Sequence, residues 1–254
     1  MDDHRQLRGA VCVVTGASRG AGRGIAEELG AAGAMVYVTG RSMESLAETA
    51  ARVRAEGGGS RAVPCDHTVD DEVAAVFELV RRKHGRLDVL VNNAWGGYED
   101  RGESVAFFDA PFFEQPLWRW DAMFGAGVRA SYVSSWYGAP LMLEHGGLIV
   151  NTMAWAYGAY LGNVLYDTAK AATARLAVGI GEELRPHRVA AVALALGHLG
   201  VSESARYGGR AVVALACADD LLSKSGRSLT AGDLAVEYGF TDVDGTQPKP
   251  FALA

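Results

Sequence analysis

The sequence predicts a single α/β domain over residues 1–254, a doubly wound parallel seven-stranded sheet with helices on both faces. Three observations predict it. Short apolar runs of strand length alternate with helix-length amphipathic segments along the chain, the pattern of a parallel sheet whose crossovers are helices. No repeat or low-complexity linker divides the 254 residues, a length that suits one large domain with a well-buried core. The first apolar run opens into a glycine-rich turn, Thr15-Gly16-Ala17-Ser18-Arg19-Gly20-Ala21-Gly22, and such sheets bind ligands beyond the carboxyl ends of their strands.

Residues 11–15 form the first predicted strand and 22–29 the helix after the turn. A second strand at 35–39 leads to a helix at 43–55, and Gly57-Gly58-Gly59 breaks the chain before a third strand at 61–65. The helix at 70–84 has an acidic first turn and a basic last turn, which suit the helix dipole. A fourth strand follows at 87–92. Residues 95–117 form a long connection carrying Trp95, Tyr98, Phe107, Phe108, Phe112 and Phe113, with Pro111 and Pro116. A connection of that length in a compact domain is more often functional than idle, although its rings read first as core or oligomer packing. Then come a helix at 120–143, a strand at 148–152, a helix at 163–184, a strand at 188–194, a helix at 211–216 and a short last strand at 228–231.

Composition excludes several classes. Hydrophobic residues are 49% and charged residues 21%, so the chain is globular and not disordered. A net charge of −6 without a basic cluster argues against a nucleic-acid partner. No apolar run approaches membrane-spanning length, and Met1-Asp2-Asp3-His4-Arg5 starts no secretory signal. Cys12, Cys65 and Cys217 match neither a disulfide framework nor a zinc pattern. Cys12 and Cys65 read as buried fillers, in keeping with a reducing, cytoplasmic setting. Asp242 and Asp244 have a ligand-like spacing but read as solvated turn residues, so no metal is expected.

The chemistry-bearing residues fall into two groups. Gly16, Gly20 and Gly22 follow a strand and open a helix. Small residues there let the backbone approach a pyrophosphate, and the helix N-terminus favours its charge. Where many NAD-binding folds carry an acid after the second strand, this chain has Gly40-Arg41. With Arg19, Arg41 suits a 2′-phosphate, which predicts NADP(H) over NAD(H). Far downstream, Tyr166 and Lys170 stand four apart in Tyr-Asp-Thr-Ala-Lys and share a helix face. An ammonium beside a phenol favours the phenolate and improves the phenol as a proton donor and acceptor near neutral pH.

These segments resemble the short-chain dehydrogenase/reductase family, whose fold is a Rossmann domain. The glycine turn looks like its cofactor turn, Cys65-Asp66 like its adenine-contacting acid, and Asn92-Asn93-Ala94 like its Asn-Asn-Ala-Gly motif with Trp95 in place of glycine. Tyr166 and Lys170 match its catalytic pair. A closer likeness is to the branch of dehydrogenase/reductase SDR family member 1, carried by Phe113-Glu114-Gln115-Pro116 before Trp120-Asp121, by Tyr137-Gly138-Ala139-Pro140-Leu141-Met142 and by the tail from Asp233 to Gly245. Members of that branch reduce carbonyl compounds, steroids among them. The resemblance implies cofactor contacts from Gly16, Ser18, Arg19, Gly20, Ala21, Gly22, Arg41, Asp66, Asn93, Ala94, Tyr166, Lys170 and Gly197. His67 joins them by its place after Asp66. It implies a substrate pocket of Trp95, Met153, Ala154 and Tyr160, and a homodimer or homotetramer through the tyrosine helix and its neighbour. The small residues of 169–174 suit close helix packing there.

The chain also departs from the pattern. The family serine lies about thirteen residues before the tyrosine, where this chain has Met153 at thirteen and Ala154 at twelve. Thr152, the nearest hydroxyl, points to the other face of an extended segment. An asparagine on the preceding helix, which holds a relay water in the family, aligns with Gly127. The usual Pro-Gly after the sixth strand is Leu196-Gly197, and the stretch from His198 to the next helix is short. Tyr157, Tyr160 or Asn163 could instead reach the site. Losing one donor aimed at an oxyanion typically costs about 10²–10³ in rate. Two expectations follow: an NADPH-dependent reductase of a carbonyl, C=N or C=C group on a small apolar molecule, or an NADP(H)-binding scaffold with a non-redox role, such as a cyclase, an isomerase or a binding protein.

Overall fold

The computed structural model describes residues 6–97, 110–154, 160–197 and 203–250; Tyr98, Phe107, Phe108, Tyr157 and His198 lie outside them. β1 (Val11–Val14), β2 (Met35–Gly40), β3 (Gly59–Pro64), β4 (Val89–Asn92), β5 (Gly147–Met153), β6 (Val189–Ala195) and β7 (Ser228–Thr230) form one sheet in the order β3-β2-β1-β4-β5-β6-β7. Every pairing is parallel.

Alternation along the strands builds two cores. Cys12 and Val14 face the same side as Val36, Val38, Val89 and Val91, and α1 (Gly20–Ala31), α2 (Met43–Ala55) and α7 (Tyr207–Cys217) cover them through Ile25, Leu46 and Leu215. Val11 and Val13 face the other side with Leu90 and Ile149, under Phe77 of α3 (Asp70–His84) and Val133 of α5 (Ala130–Gly138). Residues apolar on both faces of a strand are what a doubly covered parallel sheet requires. Cys12 and Cys65 are buried as expected, and burial raises both thiols, Cys65 to about 12.

The single helix expected at 120–143 is divided. α4 (Trp118–Met123) passes into a π segment, Phe124–Arg129, before α5. That segment contains Gly125 and Gly127, and π turns inside α-helices concentrate at functional sites. α6 (Val164–Leu184) carries Tyr166 and Lys170. α7 starts at Tyr207, four residues before the expected helix, which shortens the preceding connection further. After the short α8 (Leu221–Lys224), α9 (Ala231–Tyr238) is a helix the periodicity did not indicate. Its signals were caps: Thr230 accepts from the Asp233 N–H, and Gly239 closes the helix in the left-handed region.

Asp242 is a correction. Expected to be solvated, it is buried, and its carboxylate accepts from the Ser204 N–H and hydroxyl, fastening the tail to the start of α7. Phe112 and Phe113 stack edge to face and stand 64% and 73% exposed, so they are not core residues of this chain, which leaves the oligomer-packing half of that expectation. Ala169 and Ala174 are buried within the chain itself, so these small residues serve its own packing. No helix among the described residues is long and apolar enough to cross a membrane, and no described cluster of His, Cys, Asp and Glu could hold a metal.

Candidate active site

The strand order reverses direction at β1, with β2 on one side and β4 on the other. Above that point opens a cleft of about 670 Å³. Gly16, Ser18, Arg19, Gly20, Ala21, Arg41, Asp66, His67, Asn93 and Ala94, expected as cofactor contacts, line it together with Trp95, expected in the substrate pocket. Gly40, Cys65, Thr68, Gly96, Ala122 and Ala126 complete the wall. The last two come from α4 and the π segment, which the sequence had linked to the site only through Gly127.

The turn after β1 is held from β4. Asn93 and Ala94 both donate their backbone N–H to the Thr15 hydroxyl, and the Asn93 amide donates to the Thr15 and Gly16 carbonyls. Gly22 does not line the cleft but sits beneath it. A Cβ there would lie 2.4 Å from the Gly16 carbonyl oxygen and 2.5 Å from Asn93 Nδ2. At Gly20, with φ of 55°, a Cβ would enter open space. A bare turn at the N-terminus of a twelve-residue helix is a fit for a diphosphate. Arg19 and Arg41 stand exposed on its rim, where they suit a further phosphate.

Asp66 and His67 close the adenine end expected of the cleft. Burial raises the Asp66 carboxyl, but bonds from the Thr68 hydroxyl and N–H, with the Arg41 charge, bring it below its usual range. The His67 ring points inward, with Nε2 2.8 Å from the Thr39 hydroxyl and Nδ1 3.4 Å from that of Ser134. Burial lowers it to about 4, so at neutral pH it is an uncharged wall. Its two ring nitrogens are tied to β2 and α5 through Thr39 and Ser134.

On the opposite side, Asn163 caps α6 by accepting from the Tyr166 N–H at 3.0 Å. The cap fixes Tyr166 in the first turn, with Lys170 one turn on. Lys170 is buried, and that burial draws its ammonium down to about 7. Its Nζ lies 3.5 Å from the Trp95 ring centroid and 5.6 Å from that of Tyr166. The Trp95 and Tyr166 rings meet edge to face at 5.6 Å. Trp95 therefore joins the pair to the cleft, a contact no spacing in the sequence displays.

Two expected pocket residues, Met153 and Tyr160, and one expected cofactor contact, Gly197, are placed differently. Met153 is 4% exposed and packs with Ala174, Ala177, Ala193 and Ala195 between the sheet and α6. This corrects its assignment to the substrate pocket, and Ala154, half-buried just past the strand, is the position left for the family serine. Thr152 turns the other way, with its hydroxyl donating to the Asn92 carbonyl at 3.3 Å. Tyr160 stands 62% exposed and is not among the lining residues. Gly197, beyond β6 with φ of 89°, has the Glu203 carboxylate against it and also lies outside the lining.

A family model described as short chain dehydrogenase matches residues 10–207. The chain belongs to the short-chain dehydrogenase family. Human dehydrogenase/reductase SDR family member 1 is 40% identical, over 94% of this chain and 85% of that one; the mouse protein of the same name is 39% identical, over 96% and 87%. A solved metagenomic short-chain oxidoreductase in complex with NADP shares 33% identity at a TM-score of 0.75, covering 88% of this chain and 96% of that chain. The protein is thus an NAD(P)-dependent oxidoreductase of this family.

Proposed function

We propose that the protein is an NADPH-dependent reductase of a carbonyl, C=N or conjugated C=C group on a small apolar molecule. The observation that carries this reading is the packing of Tyr166, Lys170 and Trp95 against one another beside the nucleotide cleft. When bound, the cofactor supplies a hydride. Gly16, Ser18, Gly20, Ala21, Asn93 and Ala94 would hold it, on a turn that Gly22 lets close from beneath, with Asp66 beside the adenine, and Arg19 and Arg41 would favour its phosphate form. Tyr166 gives the proton to the reduced group. Lys170 favours the phenolate when charged and binds the nicotinamide ribose. With Ala154 at the serine position and Gly127 at the asparagine position, the chain brings fewer polar groups to a substrate oxygen. Substrates carrying their own positive charge, or accepting hydride away from oxygen, suit such a site.

Oligomerisation belongs to the same reading. Tyr132 and Trp136 of α5 stand 52% and 61% exposed, and a homodimer or homotetramer through α5 and α6 would cover them. We place the protein in the cytoplasm. The test is a panel of ketones, imines and enones scored for NADPH oxidation. Oxidation dependent on at least one class is expected. Tight NADPH binding with no oxidation across all three would defeat the reading in favour of a scaffold without redox turnover.

A further inference from the structure

Two of the positions at which this chain departs from the family pattern, tryptophan at 95 and glycine at 127, meet in space. A Cβ on Gly127 would stand 2.6 and 2.7 Å from Cζ3 and Cε3 of the Trp95 indole. No side chain fits at 127 while the indole is there. Gly127 lies within the π segment, whose neighbours Ala122 and Ala126 line the cleft beside Trp95. The same indole offers its face to Lys170 Nζ at 3.5 Å and meets the Tyr166 ring edge to face. An indole face attracts an ammonium, most strongly where water is excluded. Lys170 is 7% exposed.

We propose that Trp95 is a positioning residue for Lys170, and that Gly127 is the space Trp95 requires, so that the two substitutions form one reciprocal exchange. The packing part stands alone; its effect on cofactor affinity rests on the proposed use of Lys170 at the ribose.

Four variants test it, each read by NADPH titration calorimetry and thermal melting: Trp95→Phe, Trp95→Leu, Gly127→Asn and the double Trp95→Gly/Gly127→Asn. Trp95→Phe keeps an aromatic face and is expected to bind NADPH within about threefold of the parent, whereas Trp95→Leu fills the space without a face and loses roughly tenfold or more. Gly127→Asn displaces the indole, melts lower and binds weakly. The double variant removes the collision and recovers both melting temperature and affinity relative to Gly127→Asn. Equal losses in Trp95→Phe and Trp95→Leu would overturn the positioning role. A double variant whose losses merely add would overturn the exchange. If Tyr166→Phe leaves turnover intact, the reductase reading fails while this pattern of affinities and melting temperatures is unmoved.

Discussion

The side-chain amide of Asn93, just past β4, donates to the carbonyl of Gly16 in the turn after β1, at 3.1 Å, and to that of Thr15 at 3.2 Å. The nucleotide turn is therefore shaped by the neighbouring strand as much as by its own glycines. Asn93→Ala leaves both carbonyls without this donor. A loss of about 1–3 kcal/mol in urea unfolding is expected, with weaker NADPH binding. Gly22→Ala, whose Cβ collides with the Gly16 carbonyl oxygen, is expected to abolish NADPH binding in the same titration. Parent-like affinity in either variant would show that the turn holds its shape independently.

Met153 and Ala154 separate a core position from a site position. Met153→Ser empties a buried slot beside Ala174 and Ala195, and a loss of about 2–5 kcal/mol is expected by chemical denaturation. Ala154→Ser is expected to melt with the parent and to raise ketone reduction about tenfold or more by returning a donor to the substrate oxygen. The reverse pattern, with Met153→Ser stable and more active, would put the missing hydroxyl at 153.

His67 gives a pH signature. Its folded value is lowered from the ordinary 6.5 to about 4. Between those values the unfolded chain holds a proton that the folded ring lacks, so stability falls as pH drops through that window and is restored as pH rises. His67→Gln removes the titration. Its melting temperature is expected to depend less on pH from about 6.5 to about 4 than the parent's. Identical slopes would show that other groups govern acid stability.

Arg41 tests the cofactor choice. A guanidinium bound to a phosphate is worth about 1.5–3 kcal/mol, so Arg41→Ala is expected to weaken NADPH roughly ten- to hundredfold while leaving NADH within a few-fold. Equal losses for both cofactors in fluorescence titration would remove Arg41 from that choice.

The sheet was legible because β1, β2, β4 and β6 are apolar on both faces, and the cleft because its glycines and arginines follow the ends of two adjacent strands, β1 and β2. Helix ends read less well. α9 is short and half-exposed, so only its caps at Thr230 and Gly239 mark it. The orientation of Met153 depends on where β5 ends, which counting back from Tyr166 leaves open by one residue. One residue is enough to turn a side chain to the other face. Trp95 and Gly127 meet only once the β4 loop and the π segment are folded side by side.

The central claim is that the Tyr166 phenol delivers the proton in NADPH-dependent reduction. The most direct measurement is NADPH oxidation by Tyr166→Phe at saturating cofactor and substrate, with NADPH affinity measured in parallel. We expect affinity close to the parent's and a turnover lower by roughly a hundredfold or more, the usual weight of a positioned proton donor. Turnover unchanged by the loss of that hydroxyl would contradict the claim.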